Sequence, residues 1–216
     1  MSLHWIIRLG LLAVLFALVG ASRLLLGDRR KYRQILESTP LAIFDVVTYN
    51  ACCYLSVGIP ADPRVVSAPA ILKEPSVACG FQVVGGVLLV VGVCLFLATL
   101  AKRRVIGGQD TTQGLITSGV YRFSRHPIYL GIVLVSLSIP LITGNFDGMI
   151  VFPLVFLANA FEAAIEENCD VGARFEEEYS AYRKTTWMFG PLWGWFALVS
   201  VLLLVLTSGS LGNLRG

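Results

Sequence analysis

Two polar segments stand out against an apolar chain, and their residue types are those that hold and orient small charged molecules. In the first, GVYRFSRHPIYLG (residues 119–131), Arg122, Arg125 and His126 precede Pro127 and a long apolar run. Proline suits the first turn of a helix, where no backbone NH is missed, and it pushes the residue before it toward an extended conformation. The spacing therefore predicts a helix that opens at Pro127. Its free NH groups and positive dipole end, flanked by two arginines and a histidine, would make a seat for a carboxylate or a phosphate.

The second segment, FEAAIEENCDVGARFEEEYSAYRK (residues 161–184), supplies acids. Glu162 and Glu166 lie four apart and share a helical face, with Glu167 beside them. Glu176, Glu177 and Glu178 read as a solvated run. Arg122 and Arg125 alone would equally fit topology anchors, but acids one hairpin later let both segments line one cavity for a zwitterion. An amino-acid head group is such a zwitterion, with its carboxylate at the helix entrance and its ammonium on Glu166 or Glu167. S-adenosylmethionine adds a sulfonium to that head group, which the faces of Tyr121, Tyr129 or Tyr179 would stabilise. A phosphate-bearing ligand such as a nicotinamide dinucleotide could use the same arginines.

The elements that position these groups are membrane helices. Apolar residues make up 56% of the chain and charged residues 14%, and long uncharged runs extend over 9–22, 75–101 and 192–210. An all-α, polytopic integral membrane protein follows, with about six helices at 5–26, 40–58, 76–101, 127–143, 148–166 and 191–208. The first is retained rather than cleaved as a signal, because Arg23, Arg29, Arg30 and Lys31 follow it as a basic stop. The fourth and fifth form a hairpin around TGNFDG (143–148). Thirteen of the Lys and Arg residues fall in the first, third and fifth connections, against four elsewhere (Arg8, Arg64, Lys73 and Arg215). By the positive-inside rule the candidate site faces the cytosol and both termini lie opposite.

Other features read as structural. Asp45, in the middle of the second helix, needs a partner such as Asn50 or Tyr49, and GGVLLVVG (85–92) offers small residues for close helix packing. The five cysteines form no metal-ligand spacing, and Cys52, Cys53, Cys79 and Cys94 read as small core residues. A net charge of +3 without a basic stripe argues against nucleic acid.

The motifs GLITSGVYRFSRHPIYLG and IEENCDVGARFEEEYSAYRK, in that order and one hairpin apart, resemble the isoprenylcysteine carboxyl methyltransferase superfamily of integral-membrane enzymes. The resemblance covers roughly residues 100–185. It implies a cytosol-facing pocket for S-adenosylmethionine, contacted by Gln113, Gly114, Leu115 and Ile116 in the approach loop, then Tyr121. His126, Pro127, Ile128 and Tyr129 follow at the helix entrance, and Glu167 beyond the hairpin; Arg125 and Tyr179, read above as anion and sulfonium partners, complete the set of cofactor-binding candidates. It divides the chain into three N-terminal helices (1–99), a cofactor-binding core (100–190) and an additional C-terminal helix (191–216). This chain departs from the pattern where prenylcysteine enzymes carry a substrate-binding Arg, since Ala163 stands there, and Glu176 replaces a usual Gly.

The activity so implied is methyl transfer by direct displacement to a lipophilic or membrane-associated acceptor: a prenylcysteine carboxylate, a phospholipid amine or a small thiol. An amine or thiol would need a base, for which His126, Glu162 and Glu166 are the candidates. No metal is implied, and the partners are the acceptor and membrane lipids; the sequence leaves the oligomeric state open. A membrane reductase related to sterol reductases and a non-catalytic scaffold are the alternatives. A soluble methyltransferase fold is disfavoured, because no strand leads through a Gly-rich turn into a helix.

Overall fold

The computed structural model describes residues 2–27, 39–60, 70–103 and 114–212, and among these every regular element is helical. Helix α1 spans Leu3–Gly27, α2 Thr39–Gly58, α3 Pro75–Arg103, α4 Pro127–Thr143 and α5 Phe146–Glu166. A π turn, Glu167–Val171, continues α5 into one further turn, Gly172–Arg174. The short α6, Glu176–Thr185, and the apolar α7, Leu192–Gly212, complete the chain. Single 3-10 turns at Ala70–Lys73 and Gly119–Arg122 lead into α3 and toward α4.

Three of these helices are long and apolar enough to cross a membrane: α1 over Leu3–Ala21, α3 over Pro75–Lys102 and α5 over Phe146–Glu166. Helix α4 and the Gly194–Leu203 part of α7 are shorter apolar helices. Exposed Val83, Val87 and Val90 on α3, and Phe196 and Val199 on α7, form outward faces that water would not tolerate and lipid would.

One apolar cluster joins Leu12, Leu15 and Val19 of α1 to Tyr49, Cys53 and Val57 of α2 and to Val151, Val155 and Ala158 of α5. A second joins Val77 and Phe81 of α3 to Leu137 and Leu141 of α4, with Leu198 and Leu202 of α7 against it. The α3–α4 pair is the tightest in the bundle, and small residues allow it. A Cβ on Gly92 would stand 2.9 Å from the Gly131 carbonyl oxygen, and one on Gly131 would stand 2.8 Å from that of Gly92. Gly85 likewise faces Leu141 and Ile142, whereas Gly86 faces open space. The expectation of close packing along GGVLLVVG holds for the first and last glycines and not for the second.

Two helix ends are fixed by proline and glycine as the sequence predicts. Pro127 is the first residue of α4, and Gly144 closes that helix in the left-handed conformation at φ 66°. Asn145 then caps α5, its side-chain oxygen accepting from the Gly148 NH at 3.2 Å. At this end of the bundle lies a polar group that the sequence disguised. Arg8, counted above among the outer basic residues, is completely buried and donates to the carbonyls of Ser56 and Ile59 at the end of α2. Asn145 donates to Val57 O and Ile59 O, and the fully buried Asp147 sits in the same region. A cation and an amide thus satisfy the unpaired carbonyls at the C-terminus of α2, where the dipole is negative.

Other expectations are corrected. Asn50 donates back to Val46 O of its own helix, while Asp45 lies exposed on α2, so the anticipated Asp45–Asn50 pair does not form. Cys52 and Cys53 are buried as expected, but Cys79 and Cys94 lie on the exposed face of α3.

The α3–α4 crossing carries a direct test. Gly92→Leu should lower the thermal midpoint of the purified protein in detergent, at a cost of about 1–3 kcal/mol for overpacking, whereas Gly86→Ala should leave it unchanged or slightly raised. Equal midpoints for the two variants would contradict the crossing.

Candidate functional site

The end of the bundle opposite Arg8 gathers the C-terminus of α5, the entrance of α4, α6 and the segment leading to α7. Its centre is Glu167, the first residue of the π turn and only 3% exposed. A π turn shifts the register of side chains by adding a residue to the helical ring. Here it follows Glu166, so that both Glu166 and Glu167 reach His126. Gly172 lets the chain pass close to this turn, since a Cβ there would meet the Glu167 carbonyl oxygen at 2.5 Å.

The Glu167 carboxylate is held from two sides. Arg125 Nε donates to Oε1 at 2.8 Å, His126 Nε2 lies 3.1 Å from the same oxygen, and Arg183 Nε stands 3.8 Å from Oε2. His126 Nδ1 is 3.5 Å from Glu166 Oε2, so the ring is flanked by two carboxylates. Burial would raise the Glu167 carboxyl out of the carboxylate range, but hydrogen bonds from His126 and Arg125 outweigh it and hold the group down at about 2. Burial would depress the His126 imidazole, yet the hydrogen bonds and negative charges of Glu166 and Glu167 raise it above its usual value. Tyr179 is buried beside Glu167 and Arg125; burial, reinforced by the Glu167 charge, pushes its phenol upward, and its hydroxyl has no hydrogen-bond partner among the described residues.

Arg125 does more than pair. Its Nη1 donates to the carbonyls of Arg183 and Thr186 at the end of α6. The backbone completes this clasp: Arg125 NH donates to Trp187 O at 2.8 Å, His126 NH to Met188 O at 3.2 Å, and the Ser124 hydroxyl to Met188 O at 2.7 Å. Tyr182 Oη donates to Tyr121 O at 2.5 Å, tying α6 to the 3-10 turn. Residues 121–126 and 182–188 are therefore one structural unit, although they lie some sixty positions apart.

This arrangement corrects the reading of the arginines as an anion seat. Arg122 is exposed, and the Arg125 guanidinium is committed to Glu167 and to two carbonyls. What the entrance of α4 offers an anion is its position: α4 opens at Pro127, and the positive end of its dipole lies at this end of the bundle. His126, at the cap position, makes no side-chain cap hydrogen bond.

The other candidate residues take up graded positions around this centre. Tyr129 is half-buried, its ring 5.7 Å from that of His126 and 6.5 Å from that of Tyr49 on α2. Glu162 is half-buried one turn before Glu166, while Glu176, Glu177 and Glu178 are exposed. Gly114 is exposed and Leu115 and Ile116 are half-buried, in a stretch without regular structure. Gln113 lies outside the described residues. Ala163, where the resemblance leads one to expect an arginine, is fully buried. The carbonyls of Arg183 and Thr186 were missed by sequence reasoning, because no residue type marks them.

The coupled titration predicts a stability maximum. The Glu167 contribution is complete above the ordinary carboxyl value of 4.5 and is lost as pH falls toward 2. That of His126 is complete below its ordinary 6.5 and is lost as pH rises through its elevated value. The thermal midpoint should therefore peak between those two ordinary values, and Glu167→Gln should flatten the acid side. An unchanged acid side in that variant would contradict the clasp.

Comparison with known proteins places this centre. Residues 80–171, from α3 through the π turn, match the family model for phospholipid methyltransferases. Over 70 residues the chain is 31% identical to protein-S-isoprenylcysteine O-methyltransferase of Schizosaccharomyces pombe. That alignment takes in 32% of this chain and 30% of the relative, so the match spans less than a third of the curated protein's length. No solved structure matches significantly. The 80–171 core is thus similar to the phospholipid methyltransferases, and part of the chain is similar to a prenylcysteine O-methyltransferase.

Proposed function

We propose that the chain is an S-adenosylmethionine-dependent methyltransferase acting on a lipophilic or membrane-associated acceptor. The observation that carries this reading is the Glu167 carboxylate. It is buried and held ionised by Arg125 and His126, with the Tyr179 hydroxyl beside it and the entrance of α4 at the same end. Such a set fits an amino-acid head group: a fixed negative charge for the ammonium, the positive dipole end of α4 for the carboxylate and a hydroxyl to share with either. Leu115 and Ile116 offer an apolar surface for the adenine, and the faces of Tyr121 and Tyr129 suit a sulfonium.

When bound, the cofactor supplies a methyl group on a positively charged sulfur, open to in-line attack. The residues of the chain contribute position and charge. Arg125 fixes Glu167 and the 183–188 segment together, so the site is rigid before any ligand arrives. The His126 ring is held between Glu166 and Glu167, and the Glu166 carboxylate can accept a proton from an acceptor that must lose it. Apolar helices around this end exclude water, and holding two reactants in register there contributes up to about 7–11 kcal/mol in favourable cases.

The same reading carries the topology and the division of the chain. Six membrane helices place the site end in the cytosol with both termini opposite, the core is 100–190, and 191–216 is an added helix.

Calorimetry on the purified protein in detergent tests the reading. The wild type should bind S-adenosylmethionine and S-adenosylhomocysteine, and NADPH should give no heat. Glu167→Gln and His126→Ala should each weaken binding at least tenfold, in line with about 1.5–3 kcal/mol for a hydrogen bond to a charged group, while both variants keep a cooperative melt. Wild-type affinity in both, or binding of NADPH alone, would overturn the assignment.

A further inference from the structure

Helix α7 lies beyond the proposed cofactor-binding core, yet the chain that leads into it is gripped residue by residue. In the strap 187–189, Trp187 O accepts from the Arg125 NH at 2.8 Å, and Met188 O accepts from the His126 NH at 3.2 Å and the Ser124 hydroxyl at 2.7 Å. The next carbonyl, that of Phe189, belongs to α7 instead. It accepts from the indole Nε1–H of Trp195, in the first turn of that helix, at 2.9 Å. The strap therefore joins the entrance of α4 directly to α7.

Aromatic rings and a turn reinforce the join. Phe189 is buried, and Phe156 of α5 meets its ring edge-on at 5.7 Å and the Trp195 ring edge-on at the same distance. Edge-to-face pairs are directional, so these rings fix where Phe189 stands. Gly190 then turns the chain at φ 79°, a conformation a side chain would strain, and the Gly194 NH donates to Pro191 O at 2.9 Å as α7 begins. Further along α7, Leu198 and Leu202 pack against Val77 and Phe81 of α3 and Leu137 and Leu141 of α4, while Phe196 and Val199 are exposed. A helix that only anchored the chain in lipid would need no polar bond to the strap. In an apolar bundle, where no water replaces a lost partner, that bond is costly to break.

We infer that Trp195 is a positioning residue for the cofactor seat, and that α7 is the brace through which it acts. Trp195 holds Phe189, the strap holds the backbone of Arg125 and His126, and the side chains of those two residues fix Glu167. The identity of the ligand rests on the methyltransferase reading above, whereas the brace is a property of the chain alone. Trp195 acts through the strap and makes no contact with the reacting atoms.

The test compares Trp195→Phe, which keeps an aromatic ring against Phe156 and removes the NH, with Phe196→Ala on the exposed side of the same helix. Both are made in the full chain in detergent. Two quantities are measured: hydrogen–deuterium exchange of the ligand-free protein, and calorimetric titration with S-adenosylhomocysteine. Trp195→Phe should speed exchange in the peptide containing Arg125 and His126 and raise Kd about tenfold at unchanged stoichiometry, an effect of the size that single changes along a coupled network produce. Phe196→Ala should match the wild type in both. A purely structural role for Trp195 would lower the stoichiometry and the thermal midpoint with Kd and that exchange intact, and this result would overturn the proposal. An equal rise in Kd in Phe196→Ala would overturn the assignment to the indole NH. Absence of S-adenosylhomocysteine binding by the wild type would instead fail the methyltransferase reading, and exchange would then decide the brace alone: wild-type exchange at Arg125 and His126 in Trp195→Phe overturns it.

Discussion

The structure turns on one buried carboxylate. Glu167 sits at the cytoplasm-facing end of the proposed topology with almost no solvent contact, a placement that would be costly without compensation. Arg125 and His126 supply that compensation, and each is itself held by backbone from a distant part of the chain. The result is a closed circuit: α5 ends in the carboxylate, the entrance of α4 answers it, and the 183–188 segment holds the answer in place. Removing one member leaves the others as buried polar groups without partners, the condition under which polar networks lose most.

This circuit explains why an arginine at the mouth of an apolar helix is not an anion receptor here. Five donors on a planar fork suit several acceptors at once, and Arg125 uses them on Glu167 Oε1 and on the carbonyls of Arg183 and Thr186. The Glu167 oxygens and the Tyr179 hydroxyl keep hydrogen-bonding capacity that Arg125 does not use. At the opposite end of the bundle the same chemistry serves a structural purpose. Arg8 and Asn145 satisfy the carbonyls that end α2, next to the turn at Gly144 that joins α4 to α5. A long-range arginine clasp thus closes each end of the bundle.

Much of this was legible in the sequence where a residue type dictates backbone geometry. Pro127 opens α4, Gly144 ends it, and the apolar runs coincide with helices whose outer faces are apolar. The clustering of His126, Glu166 and Glu167 was legible as well, because acids and a histidine on apolar helices must find one another. The role of Arg125 was not, since its acceptors are main-chain oxygens that no side chain announces. Arg8 misled for a related reason: a count of basic residues cannot distinguish a charge at the membrane surface from one folded over a helix end. Asp45 and the outer cysteines show the limit of composition, for a polar or thiol residue in an apolar helix can lie on either face. The register shift at the π turn, which brings Glu167 beside Glu166, also has no marker beyond the glycine at 172 that permits it.

The central claim is that the Glu167 circuit is the seat of the cofactor head group. Ultraviolet cross-linking of radiolabelled S-adenosylmethionine to the purified full chain, followed by peptide mapping, tests it most directly. The account expects label in the peptides containing residues 114–131 and 162–182, competed by S-adenosylhomocysteine and lost in Glu167→Gln. Competable label confined to α1 and the N-terminal part of α3, with those two peptides clean, would contradict it.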